Sequence, residues 1–392
     1  MRTRQRPRLA GLGHSSDSAY SSKQTSLSGC PFNLRYKLTM NVASLSVILP
    51  NYNHALFLEK TLKDMLKQSF QPKEIIIIDD GSTDGSVEII EEIVKANSIV
   101  KLLRNETNKG IFYSTSRALD LSSGEYIYFA GADDLIYPGF FEESMFLLGC
   151  FQHAGLCSSV VESLEPHGVR IKSYANNISQ KECYILPNEC IQLLHRRGNW
   201  MGGCTTIYRR EAYFDAGGFN EKLGSHCDTF LQMVVALKYG VCFIPKCMGA
   251  QRLYESSYSA TISANLEANI KIYSEAANLM RTTYKALFPS EFINSWEARE
   301  VSRARLSTLQ RLRRQEPVVV KSLFNRDCPV DRLLIWGLIL GGYGRSIIIL
   351  AYCLIRGDKE LRHAVISLTR IAIRRIMQRI EKYVFYSDSD VH

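Results

Sequence analysis

The stretch SVILPNYNHALFLEKTLKDMLKQSFQPKEIIIIDDGSTDGS, residues 46–86, decides the fold. It covers two short apolar runs, Leu45–Pro50 and Glu74–Ile78, around a segment of helical periodicity, Ala55–Gln68. Runs of this length without polar alternation read as strands buried on both faces. The same alternation continues outward. Val100–Leu103 and Tyr126–Phe129 are two more strand-like runs, with helical stretches at Ser86–Ala96 and Gly110–Leu121. Short apolar strands alternating with longer helices predict β-α-β units and a mostly parallel sheet flanked by helices. Ligands of such sheets bind beyond the carboxyl ends of the strands.

Those ends are polar here. Pro50-Asn51-Tyr52-Asn53 follows the first strand, and Asp79-Asp80-Gly81-Ser82-Thr83-Asp84 follows the second. Gly131-Ala132-Asp133-Asp134 follows the fourth. Tyr52 can stack on a nucleobase, and Asp80 can accept hydrogen bonds from a base or ribose. Asp133 and Asp134 are oxygen ligands suited to a hard divalent cation, Mg2+ or Mn2+. Such a cation can bridge a diphosphate and neutralise charge on a leaving group. Each element also has a plainer reading. Asp-Gly-Ser after a strand makes a turn and a helix cap, and an Asp-Asp pair is a common cap as well.

Composition narrows the class. The 392 residues are 46% hydrophobic and 22% charged, enough for a sizeable core and two or three domains, and unlike a chain disordered throughout. The 11 cysteines are odd in number, with no Cys-x-x-Cys pair, which fits a reducing compartment better than a disulfide framework. The net charge of +9 is uneven. Residues 1–40 carry seven Lys/Arg and one acid, residues 41–298 carry 23 and 29, and residues 299–382 carry 18 and seven. A uniformly basic nucleic-acid binder would not be acidic in its middle, so no nucleic-acid partner is expected.

The stretches SVILPNYNHALFLEKTL, EIIIIDDGSTDGS, NKG and GEYIYFAGADDLIYPGFFEE, in this order, resemble a family 2 glycosyltransferase of the GT-A, Rossmann-like fold. The resemblance continues through GGCTTIYRREAYFDAGGFNE to CDTFLQMVVALKYG and covers roughly residues 44–260. It implies an inverting transfer of a sugar from a nucleotide-diphosphate donor. It implies that Pro50, Tyr52 and Asp80 line the nucleoside pocket, with Asn53, Asp79 and Ser82 on the same donor side. Asp133 and Asp134 would be the metal-site acids, Asp134 the direct ligand and Asp133 nearer the ribose. Asp228 would be the catalytic base, or a cap of the helix that follows it, or both. Arg252, with Ser257 and Ser259, falls where a loop closes over the diphosphate. Two departures stand out. Gly131 replaces the first acid of the family's Asp-x-Asp-Asp, and Cys227 replaces the Glu that often precedes the base.

Three regions are expected. Residues 1–43, rich in Arg and Ser without an apolar run, read as a disordered extension or a transit peptide, with Met40 as an alternative start. Residues 44–290 read as the GT-A domain, and residues 291–392 as a basic helical extension. Within the last, 333–355 is long enough to span a bilayer, but Arg345 near its centre favours two shorter helices. Residues 359–383 form an amphipathic basic stretch suited to an anionic membrane surface. The whole predicts a metal-dependent glycosyltransferase, cytoplasmic and peripheral to the inner face of the cell membrane. Its acceptor would be a glycan or lipid-linked molecule in surface polysaccharide or glycolipid synthesis. A catalytically silent nucleotide-sugar-binding module is the alternative that Gly131 and Cys227 favour. A nucleotidyltransferase is disfavoured, because Asn51–His54 is not a Gly-rich basic loop.

Overall fold

The structure is a computed structural model and describes residues 43–164, 170–174, 178–254 and 257–312. The N-terminal extension up to residue 42 and the two segments 333–355 and 359–383 lie outside the described residues.

The first half follows the sequence pattern closely. It runs β1 (Leu45–Asn51), α1 (Ala55–Leu66), β2 (Glu74–Asp79), α2 (Ser86–Ala96), β3 (Val100–Arg104), α3 (Ile111–Leu121) and β4 (Tyr126–Phe129). Here β1 pairs in parallel with both β2 and β4, and β2 with β3. Successive strand residues face opposite sides of a sheet. Leu45, Val47 and Leu49 of β1, with Ile75 and Ile77 of β2, therefore enter one core beneath Leu58 and Leu62 of α1. Ile48, Ile76 and Ile78 enter the other, with Ala118 and Leu119 of α3. Both faces are covered, which is why these strands read as unbroken apolar runs.

The second half is less regular. It holds β5 (Leu135–Ile136), α4 (Phe140–Cys150), β6 (Leu156–Leu164), β7 (Arg170–Tyr174), β8 (Cys183–Ile185), α5 (Pro187–Arg197), β9 (Ile207–Arg209) and α6 (Arg210–Asp215). Then come α7 (Cys227–Tyr239), β10 (Val241–Arg252), α8 (Tyr258–Ala264), α9 (Leu266–Arg281) and α10 (Ser290–Leu312). The sheet order is β3-β2-β1-β4-β9-β6-β10-β5, with β7 on β6 and β8 on β10. The expected parallel sheet is thus its first half. β9 joins antiparallel to β4 and to β6, β10 returns parallel to β6, and β5 and β8 pair antiparallel with β10.

The helix α10, which starts at Ser290, is joined to the body. Phe292, Ile293 and Trp296 share a core with Phe288 and with Phe230 of α7. Phe288 stacks on Phe292 at 5.7 Å and on Phe230 at 6.4 Å. Offset aromatic contacts of this kind add about 0.5–1.5 kcal/mol each beyond area burial.

At the amino edge of the sheet Glu74 ties several elements together. Its carboxylate accepts from Ser46 Oγ at 2.9 Å, Ser123 N at 2.8 Å and Lys101 Nζ at 2.7 Å. Burial alone would raise this carboxyl, but Lys101 and the Ser123 and Ser46 bonds outweigh it and hold it at about 2.

Candidate active site

Because β1, β2 and β4 run parallel, their carboxyl ends open on one rim. Asn51 and Asp79 are register partners, Asp80 N donates to Asn51 O at 2.8 Å, and Ala130 N donates to Ile48 O at 2.9 Å. The three polar loops singled out in the sequence are therefore brought side by side.

The first two loops are knitted together by their own side chains. Asn51 Nδ2 donates to Asp79 Oδ2 at 2.9 Å and to Ser82 Oγ at 3.1 Å. Asn53 N donates to Ser82 Oγ at 2.9 Å, and Thr83 N to Asn53 Oδ1 at 2.8 Å. Asn53 adopts a φ of 57°, a left-handed conformation that asparagine tolerates better than most residues. Ser82 N closes the turn onto Asp79 Oδ1 at 2.9 Å. Asp84 Oδ2 accepts from Ala55 N at 2.8 Å and its Oδ1 from Ser86 N at 3.1 Å, so one carboxylate caps both α1 and α2. Burial alone would raise the Asp84 carboxyl, but the Ser86 and Ala55 bonds outweigh it and bring it down.

The structure thus places Asn53, Asp79 and Ser82 in the framework of the rim. Asp80 is only 3% exposed. Its Oδ1 accepts from Asn105 Nδ2 at 2.7 Å and Lys109 N at 2.8 Å, and its Oδ2 from Gly110 N at 2.8 Å. It fixes the connection into α3. Tyr52, by contrast, is 43% exposed beyond β1, and Pro50 beside it is half-buried.

The acid turn after β4 explains Gly131. A Cβ there would stand 2.6 Å from Asp134 Oδ2 and 3.1 Å from Asp133 Oδ1. The two carboxylates fold over the glycine and occupy the space that an extra side chain would need. Burial pushes the Asp134 carboxyl well above the usual range, the Asp133 charge adds to this, and Arg252 pulls the other way. Among the described residues no three His, Cys, Asp or Glu side chains form a closed metal cage. Mg2+ and its relatives commonly bind through one or two carboxylates plus substrate phosphates and water. An under-compensated pair of acids fits that demand, so the residues present suit such a cation.

Asp228 stands in the first turn of α7. Its Oδ1 accepts from Thr229 N at 2.6 Å, a local bond at the helix start, so a structural part is visible for it. Its Oδ2 lies against Gly203, where a Cβ would approach to 2.6 Å. The preceding Gly202 has no room either, since a Cβ would meet Val161 Cγ2 at 2.3 Å. The Gly-Gly pair lets the 203–205 turn pass between β6 and the start of α7. Burial raises the Asp228 carboxyl, with Thr229 N and His226 opposing it. The charge of Asp228 reaches Asp134, and that of Asp134 reaches Cys204 in the same turn. Both carboxyls are half-buried and raised, and Asp228 borders the 203–205 turn.

The end of β10 closes the rim. The Arg252 guanidinium donates to Asp133 O and lies 4.7 Å over the Phe57 ring. Tyr254 donates its hydroxyl to Asp133 Oδ2 at 2.7 Å, and His54 Nε2 is 3.1 Å from that hydroxyl. Ser257 caps α8 through Ala260 N at 3.3 Å, and Ser259 lies within α8. No local sequence pattern marks Tyr254 or His54 as partners. The pair is 200 positions apart and meets only through the fold.

Residues 46–213, which contain this rim up to Gly203, match the family model described as glycosyl transferase family 2. This segment is a family 2 glycosyltransferase domain. Among curated relatives, an uncharacterized glycosyltransferase of Haemophilus influenzae is 41% identical over 97 residues, 25% of this chain and 39% of that one. An uncharacterized protein of Mycobacterium tuberculosis is 26% identical over 217 residues, 53% of this chain and 66% of that one. The match spans less than two thirds of either relative. The family 2 domain also resembles the crystal structure of Staphylococcus aureus TarS 1–349 in complex with UDP-GlcNAc, with a TM-score of 0.53 at 17% identity. That likeness covers 84% of this chain and 92% of the other, and shows that the domain has the GT-A fold.

Proposed function

We propose that this protein transfers a sugar from a nucleotide-diphosphate-sugar donor to an acceptor hydroxyl with inversion at the anomeric carbon. The observation that carries the reading is the half-buried Asp228 carboxyl, set against Gly203 and raised by desolvation, together with the Asp133 and Asp134 carboxylates folded over Gly131. An acceptor hydroxyl needs a base as it attacks, and a carboxylate with a raised pKa is a better one. In the proposed step the acceptor oxygen bonds to the anomeric carbon. The bond to the diphosphate oxygen breaks, and its electron pair leaves with the nucleoside diphosphate. The acceptor proton passes to Asp228. Opposed entry and departure invert the centre, with no covalent enzyme intermediate.

Tyr52 offers the exposed ring for the base, while Asp80 and its partners hold the loop beneath it. Mn2+ or Mg2+ held by Asp134 and Asp133 would neutralise charge on the departing diphosphate. The TarS complex carries UDP-GlcNAc, which makes a uridine donor the first to try. The basic segment 299–382 suits an acceptor at an anionic, cytoplasmic membrane face, a glycan or lipid-linked molecule of a surface polysaccharide or glycolipid. Among the described residues no helix is long and apolar enough to cross a membrane. Deleting residues 299–392 is expected to move the protein from the membrane pellet to the soluble fraction, and an unchanged distribution would count against that part.

The donor reading is tested by melting the full chain with a panel of nucleotide-sugars, with and without Mn2+. Ligands that bind the native state raise its melting temperature by mass action. At least one donor is expected to do so, more strongly with Mn2+, and to release free nucleoside diphosphate on incubation. No shift and no release with any donor would sink the proposal.

A further inference from the structure

Asp133 is gripped twice by the segment that leaves β10. Arg252 holds its main-chain oxygen, and the Tyr254 hydroxyl holds Oδ2 at 2.7 Å. The two side chains stand at the last residue of β10 and two residues beyond it. Both rest on Phe57, with the guanidinium at 4.7 Å and the Tyr254 ring at 5.6 Å. His54, three residues before Phe57 and just ahead of α1, completes the clasp at 3.1 Å from the Tyr254 hydroxyl.

The direction of these bonds follows from the groups themselves. A carboxylate only accepts, and a phenol carries one hydrogen. The Tyr254 hydrogen therefore goes to Asp133, and the Tyr254 oxygen accepts from His54 Nε2–H. In the neutral ring this leaves Nδ1 bare. That atom is buried and has no hydrogen-bond partner. The file His54, Tyr254, Asp133 thus runs one way, from the loop after β1 to the acid turn after β4. Of the two Asp133 oxygens, Oδ1 is the one the clasp leaves open.

We propose that Tyr254 is a positioning residue for Asp133: it occupies Oδ2, fixes the rotation of the carboxylate and reserves Oδ1 for a divalent cation, with His54 setting the direction of its hydroxyl. This rests on the donor-site reading above. Nothing in the β10 exit segment itself touches the donor in this scheme, so the effect is exerted through Asp133 alone.

The test is calorimetric titration of the full chain with UDP and with GDP, in Mn2+ and in EDTA. Tyr254→Phe keeps the ring on Phe57 and removes only the hydroxyl. It is expected to weaken nucleotide binding in Mn2+ about tenfold, the low end for losing a group that orients a metal ligand. Binding in EDTA should stay at the wild-type value. His54→Gln, which keeps an N–H donor, should fall nearer to wild type than His54→Ala. Equal affinities for Tyr254→Phe and wild type in Mn2+ would overturn the inference while leaving the donor reading intact. So would an equal loss in both buffers, which would mark a structural role. Wild-type protein that binds neither nucleotide in either buffer would instead overturn the donor reading, and this inference with it.

Discussion

Asp228 Oδ2 lies 2.6 Å from where a Cβ on Gly203 would be, so the position of this carboxylate depends on the absence of one carbon. The contact is with the end of a short side chain, which can move aside more easily than backbone. Gly203→Ala is therefore expected to leave the fold in place and displace the carboxylate. A misplacement near 1 Å can cost about 10²-fold in rate. Sugar-transfer or donor-hydrolysis rates should fall by about that factor, while the melting temperature and nucleotide affinity stay close to wild type. Unchanged turnover would show that Asp228 need not sit where it does.

Gly131 offers the converse experiment. Gly131→Asp restores the family's extra acid, and from composition alone it should strengthen cation binding. The space is already filled by Asp134 and Asp133, at 2.6 and 3.1 Å from the new Cβ. Mn2+-dependent nucleotide binding, measured by calorimetry, is expected to weaken. Tighter binding would refute the crowding argument.

Asp84 is a cap for two helices at once. Removing a cap typically costs about 1 kcal/mol, and up to 2. Asp84→Ala should therefore lower unfolding stability by about 1–3 kcal/mol in urea titrations, and loosen the rim that presents Tyr52. A loss below about 0.5 kcal/mol, the range of a neutral surface change, would mean that other groups satisfy Ala55 N and Ser86 N.

Glu74 sets an acid limit on stability. Its carboxyl is held at about 2 in the fold, against an ordinary value of 4.5. A lowered folded-state pKa contributes stability above the unfolded value and loses it as pH falls through the folded one. The stability difference between wild type and Glu74→Gln should therefore be constant above about pH 5, shrink between pH 4.5 and 2, and vanish below. Urea titrations at a series of pH values read this directly. A difference that does not change with pH would contradict it.

The sequence made the first half of the sheet legible for a physical reason. Runs such as EIIII at 74–78 are buried on both faces and leave no choice of partner face. The second half was not legible. β5, β8 and β9 are two or three residues long, and pairing with β10, β4 and β6 creates them rather than local propensity. The α7 start at Cys227, one residue ahead of Asp228, is hidden by a polar first turn. At the site, residue types were readable but their contacts were not. Asp79, Ser82, Asn53 and Asp80 have the chemistry of donor contacts, and in the fold they also bond to one another, to Asn51 and Asn105, and to main chain. Arg252 reads as a residue near the diphosphate, and its bond to Asp133 O is visible only in the fold. The contacts of His54 with Tyr254, and of Gly203 with Asp228, depend on chain crossings that no local pattern encodes.

The central claim is that Asp228 takes the acceptor proton, and the most direct test is Asp228→Asn with nucleotide binding followed in parallel. The substitution keeps size and removes basicity. Turnover of the donor is expected to drop by about 10²–10⁴, the range for loss of a general base, while UDP or GDP binding in Mn2+ stays at the wild-type value. Wild-type turnover by Asp228→Asn would contradict the claim outright.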